Sequence, residues 1–262
     1  MENSFINYPR LILAKIFDAY TEKDDEEIFQ ETRHIVSALM QKVVYGEWLP
    51  LLLGTEFVQD PANKLDLPIS GTTYDPNIDP STENGFATAA FRFGHSMIQG
   101  LIQLVNFQTK EVISNNAVRD NLFNDAKYEA TDGIDNIFAG LCQQPAQTND
   151  AMVTEEVTNF LFMEVEEGNN FGQDLVARNL QRARDHALGD FLSFRARFSG
   201  INEDIDSFDC FENTPEGISE EDWENLRSLY QNVNDIDLFV GGLLEAPVEG
   251  GLFGATFRGM IG

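Results

Sequence analysis

The chain has 262 residues, 44 of them Asp or Glu against 17 Lys or Arg, for a formal charge of -27. A field of that sign repels phosphate backbones and anionic lipid, which argues against nucleic acid or an acidic membrane surface as a partner. Apolar residues make up 42% of the sequence and Phe alone fills 21 positions, so the material for a packed core is present and the chain is not of the disordered class.

The N-terminal MENSFINYPR lacks the basic stretch and following apolar run of a signal peptide. Asp25-Glu26-Glu27 then opens a long helical segment in which Ile28, Phe29, Ile35, Leu39, Val43 and Val44 recur at helical spacing, with acid at the dipole's positive end. Pro50 interrupts this segment. It also breaks the best apolar run, Leu49 to Leu53, which falls far short of the roughly 20 residues a membrane helix needs. Residues 56 to 84 are rich in Asp, Pro, Asn, Thr and Gly and read as a long ordered loop. Asn84 is the expected cap of a buried helix over GFATAAFRFGHSMIQGLIQLV, which is apolar nearly all round. Further helices are expected from about Thr154 to Val165, Asp174 to Leu188, and Ser219 to Tyr230, the last with a loose Ser219–Asp222 capping box. The tail from Gly241 carries too many glycines for a regular element, and strand-like alternation is scarce. The fold class is mainly α, as a single unit. Cys142 and Cys210 are too few for a disulfide framework, and with no leader the chain reads at face value as cytosolic.

The chemistry-bearing residues fall in two clusters. Of the three histidines, His34 follows Arg33 on a charged helix and reads as structural. His95 lies in an apolar segment where an unpaired imidazole is costly, with Arg92 three residues earlier on the same helical face. A neutral imidazole beside a guanidinium suits a ligand with both a metal and a carboxylate edge, and haem has both. The second cluster is Asn179-Leu180-Gln181-Arg182-Ala183-Arg184-Asp185-His186, where Asn179, Arg182 and His186 share one helical face. By composition alone it is a solvated surface. An Asn side chain can also accept the second ring N–H of a metal-bound His. Glycine-rich phosphate loops, H-E-x-x-H, Cys-x-x-Cys and EF-hand spacing are all missing. The acidic run from Asp204 to Asp209 reads as a solvated loop.

Four stretches together resemble the animal haem peroxidases: IFQETRHIVSALMQKVVYGEWLPLLLG, YDPNIDPSTENGFATAAFRFGHSMIQ, DLVARNLQRARDHALGDFLSFR and NDIDLFVGGLLEAP, in family order and spacing. The resemblance implies a mainly α-helical peroxidase fold and a b-type or modified haem. It places the family's proximal iron ligand on His95 and a propionate-binding Arg on Arg92. The Asn that bonds the proximal His falls on Asn179, and a second propionate neighbour on Arg182. Arg184, Asp185 and His186 match the same motif and are given structural roles.

In the family the distal His, the catalytic Arg, the acids that esterify haem and the calcium loop precede the first matched block. The resemblance therefore implies one partial domain over 1–262, with a divergent start at 1–8, the proximal half at 9–262, and no calcium site in this stretch. It implies an oxidoreductase using hydrogen peroxide on small donors, in a secreted, extracellular family. The alternatives are a non-catalytic haem-binding or interaction module, and a helical relative without haem. A complementary chain or oligomer covering the open face is a further implied partner. The chain departs from the family at Arg178, Ala183 and Ala187, the last two standing where the family usually has Gly or Ser and then Gly. A family Cys pair falls on Ser199 and Gly259.

Overall fold

The computed structural model describes residues 24–60, 76–77, 79–124, 133–166, 169–208 and 214–262. The chain divides into two compact units, Met1–Ile78 and Asp79–Gly262.

In the first unit, helix α1 (Asp25–Val43) starts where the acidic triplet predicts, and Asp24 caps it. The box is reciprocal: the Glu27 amide donates to Asp24 Oδ1 at 2.9 Å and the Asp24 amide to Glu27 Oε2 at 3.3 Å. Pro50 does not break the winding. The helix widens into a π-turn at Val44–Trp48, then resumes as α2 (Leu49–Leu53) with Pro50 in its first turn, where a missing N–H is tolerated. Gly54, at φ 89°, ends α2 and starts α3 (Thr55–Gln59). The expected loop from 56 thus begins as helix, and most of its remainder lies outside the described residues. On α1 the periodic Phe29, Ile35, Leu39 and Val43 are exposed, while Thr32 is buried with its hydroxyl donating to the Ile28 carbonyl at 2.7 Å.

The second unit corrects four expectations. The apolar segment after Asn84 is not one helix: it is α4 (Asn84–Thr88), a 3-10 helix (Ala90–His95) and a strand, β1 (Leu101–Val105). Strand β1 pairs antiparallel with β2 (Val112–Ala117), an alternative that helical periodicity cannot exclude when apolar residues are continuous. Glu83, rather than Asn84, caps α4, accepting from the Phe86 amide at 2.9 Å. Helix α5 (Gly133–Gln143) lies so close to β1 that a Cβ on Gly140 would sit 1.8 Å from the Gln103 carbonyl oxygen. The helix expected over 154–165 is only α6 (Glu155–Thr158), followed by a second hairpin, β3 (Leu161–Glu166) with β4 (Asn169–Gln173).

Helix α7 (Leu175–Asp185) and helix α9 (Glu220–Leu229) stand where expected, capped by Asp174 and Ser219. At α9 the box is not reciprocal, because the Ser219 hydroxyl donates to the Asp222 carboxylate at 2.6 Å. The glycine-rich tail does form regular elements, α10 (Leu238–Leu244) and α11 (Ala255–Ile261), packed around α8 (Phe191–Ser199). The glycines allow this packing. A Cβ on Gly241 would lie 2.2 Å from the Phe191 ring, one on Gly242 2.2 Å from the Phe257 ring, and one on Gly259 2.1 Å from the Phe198 carbonyl oxygen. Phe191, Phe239, Phe253 and Phe257, all almost fully buried, fill the space so created. Phe93 packs edge-on against Phe253 at 4.5 Å, which fixes the 3-10 helix to this core.

The packing and an ion pair at α6 each have a measurable consequence. Gly241→Ala gains about 1 kcal/mol of helix propensity, but overpacking the Phe191 ring costs about 1–3 kcal/mol. Urea denaturation is expected to show a net loss, and a more stable variant would overturn the packing account. The second concerns Glu156 at α6, which accepts from Arg119 Nε at 3.0 and 2.8 Å while that guanidinium lies 3.4 Å from the centre of the Phe160 ring. The hydrogen bonds to Arg119 hold the Glu156 carboxyl below the usual carboxylate range. The unfolded chain therefore takes up this proton first. The pair's stabilisation is present above the ordinary carboxylate pKa and is lost as pH falls through the depressed folded value. Acid melts of Glu156→Gln should show a shallower fall in stability than the parent, and an unchanged slope contradicts the assignment.

Candidate functional site

The 3-10 winding of Ala90–His95 brings its side chains at i and i+3 into line. Arg92 and His95 therefore stand one above the other, more closely aligned than α-helical spacing would make them. Both are half-buried. Facing them is Asn179, at the middle of α7 and fully buried. Asn179 Nδ2 lies 2.8 Å from His95 Nδ1, and Arg92 NH1 donates to Asn179 Oδ1 at 2.7 Å. Arg92 Nε also donates to the Ala87 carbonyl at 3.2 Å, so the guanidinium is held from two sides.

Arg182 is exposed one turn beyond Asn179 on α7. Burial first, and then the positive charge of Arg182, pull Arg92 below the usual guanidinium range. Burial and the Arg92 charge together pull His95 below its ordinary value, so the imidazole is neutral at neutral pH. No carboxylate among the described residues pairs with Arg92 or Arg182. The structure thus gathers all four residues singled out in the sequence, Arg92, His95, Asn179 and Arg182, into one cluster. It presents a neutral imidazole and two cations that no described carboxylate pairs.

The rest of the Asn179 motif is committed to neighbouring segments. Arg184 grips Asp237 with Nε at 3.0 Å and NH2 at 2.7 Å, and the Tyr230 hydroxyl donates to the same carboxylate at 2.8 Å. Burial, helped by that carboxylate, pushes the Tyr230 phenol up to about 12. His186 Nδ1 lies 2.8 Å from Asn84 Oδ1, and Asn84 Nδ2 donates to the His186 carbonyl at 3.4 Å. Sequence reasoning read Asn84 as a helix cap and missed this pairing, for which its neighbours give no local signal.

It also missed the buried Arg195, whose NH1 bonds Glu245 and whose Nε donates to Glu203 at 3.0 Å, while Glu245 accepts from the Thr256 amide at 2.8 Å and hydroxyl at 2.7 Å. Two concavities, of about 520 and 340 Å³, lie beside Phe208 and Tyr230 and beside Arg184 and Asp237. Among the described residues no helix is long and apolar enough to cross a membrane. Cys142 is a free, exposed thiol, and Cys210 lies outside the described residues.

A family model described as animal haem peroxidase matches residues 11–262. The chain belongs to the animal haem peroxidase family. Among its relatives, a peroxidase of Drosophila melanogaster is 36% identical over 89% of this chain and 33% of its own length. The peroxidasin homolog pxn-1 of Caenorhabditis elegans is 34% identical over 98% of the chain and 19% of its own length. The chain thus spans a third or less of these relatives. Peroxidase A of Dictyostelium discoideum has the same fold, with TM-score 0.77 and 30% identity over 98% of this chain and 45% of that one. A fatty acid alpha-dioxygenase of Oryza sativa shares the fold at TM-score 0.71 and 18% identity, covering 97% of this chain and 46% of that one.

The backbone at Ala187 bears on a departure noted in the sequence. The chain carries Ala there at φ 52°, a left-handed conformation that strains an L side chain by about 1–2 kcal/mol. The glycine that the sequence resemblance implies at this position adopts it freely. Ala187→Gly should raise stability by about 0.5–1 kcal/mol in urea denaturation, since the relief of strain exceeds the added freedom of the unfolded chain. A destabilised variant would sink the strain reading.

Proposed function

We propose that this chain supplies the proximal side of a haem site, with His95 as the iron ligand, and that the protein is an oxidoreductase using hydrogen peroxide on small donors. The observation that carries the reading is the tether between His95 Nδ1 and the buried Asn179, with no hydrogen bond to Nε2 of the neutral imidazole among the described residues. A ring anchored by one nitrogen and open at the other has the arrangement of a metal-bound histidine with its supporting partner. Arg92 and Arg182, two cations with no carboxylate partner among the described residues, fit the propionate edge of the same cofactor. Haem, when bound, contributes the redox chemistry of its iron.

The protein residues do the rest. Asn179 fixes the plane of the imidazole. Burial keeps that imidazole neutral, so the ring holds one lone pair and one N–H. The packing of Phe93 on Phe253 holds the turn that carries it. Residues 9–262 are proposed to form the proximal half of one peroxidase domain, and the secreted habit of the family is proposed for this member. Titration of the chain with haem should give a Soret band that His95→Ala abolishes or shifts, and spectral identity of variant and parent would sink the ligand assignment. Peroxide-dependent oxidation of a small phenolic donor by the same haem-loaded sample supports the enzyme, while a Soret band without turnover supports a binding module.

A further inference from the structure

We propose that Arg92, acting through Asn179, holds the proton of His95 on the nitrogen the iron requires, so that metal ligation at His95 depends on a carboxylate reaching Arg92. The inference rests on the haem reading and narrows it to porphyrins with free carboxylates.

A guanidinium only donates hydrogen bonds. The Asn179 atom 2.7 Å from Arg92 NH1 is therefore the carbonyl oxygen, and the planar amide then turns its NH2 group toward His95 Nδ1, 2.8 Å away. That group also only donates. His95 Nδ1 must accept, and the single proton of the neutral ring then sits on Nε2.

Ligation needs the lone pair of Nε2. The neutral ring can offer it if the proton moves from Nε2 to Nδ1, with no proton gained or lost. Nδ1–H then needs an acceptor, which Asn179 provides if its amide turns over. After the turn, Asn179 NH2 faces Arg92, donor against donor. Asn179 is fully buried, so solvent cannot relieve the clash, and Arg92 is kept in place by its second bond to the Ala87 carbonyl. A carboxylate relieves the conflict by drawing NH1 off Asn179, the guanidinium turning on its Nε–H bond to the Ala87 carbonyl so that NH1 donates to the anion instead. Arg92 is in this sense a positioning residue for the His95 ring as well as an anion contact.

The test uses the chain itself with 15N-labelled histidine. In the metal-free parent, long-range proton–nitrogen correlation should show His95 as the Nε2–H tautomer, its signals identified by their loss in His95→Gln. In Asn179→Asp, a carboxylate accepts from both neighbours and His95 should read Nδ1–H. Arg92→Gln, which frees Asn179 from a donor-only partner, should shift the population the same way. The Nδ1–H form in the parent overturns the proposal.

In the second arm, haem and haem dimethyl ester are titrated into the parent and Asn179→Asp. The parent should prefer free haem by about tenfold or more, the scale of one charge-assisted hydrogen bond, and Asn179→Asp should narrow that preference. Equal preference in both proteins overturns the coupling. Failure of both porphyrins to bind, with His95 still Nε2–H, overturns the haem reading and leaves the hydrogen-bond order standing.

Discussion

A buried amide has no solvent to fall back on. Asn179 sits at zero exposure between a ring nitrogen and a guanidinium, and its two ends together satisfy both. Leaving either bond unmade strands a polar group in the interior, at a cost of about 1–3 kcal/mol. The relative placement of α7 and the 3-10 helix is therefore not free to drift. Segments separated by 84 residues in sequence are registered to within hydrogen-bond tolerance by one side chain.

The same device recurs around it. Asn84 and His186 join the start of α4 to the end of α7, Arg184 and Asp237 join α7 to the start of α10, and Arg195 and Glu245 join α8 to the end of α10. Most of these contacts link one motif block to another. Apolar packing supplies the bulk of the stabilisation and tolerates sliding, whereas paired polar groups of fixed geometry do not. The buried Arg195 shows the principle most fully. Its Nε and both terminal nitrogens are satisfied, by Glu203, Glu245 and the Glu216 carbonyl, so the charge is compensated inside the core rather than left to solvent.

Helices with polar caps and a clear amphipathic period, α1, α7 and α9, are legible in the sequence, because capping and the 3.6-residue repeat are local properties. The split of the segment after Asn84 is not. An apolar run without alternation is equally compatible with helix and with a strand buried against α5, and the choice is made by Gly140 some forty residues away. The tail fails for a related reason: glycine lowers helix propensity locally, but here Gly241, Gly242 and Gly259 make room for aromatic rings that no local window contains. At the site, the imidazole and guanidinium are legible as a pair from spacing alone. Their meeting with Asn179 required the family resemblance, since composition favoured a solvated face for α7. The direction of the Asn179 amide is visible only in three dimensions, because it is settled by what Arg92 can and cannot accept.

The 3-10 winding at residues 90–95 has a consequence for how this segment can evolve. At three residues per turn, adding or deleting one residue between Arg92 and His95 swings the imidazole through about 120°, away from Asn179 altogether. A change in loop length ahead of Glu83 leaves that angle untouched. A length change inside this turn therefore breaks the tether to Asn179 while one ahead of the cap spares it, although neither charge nor hydropathy marks the difference.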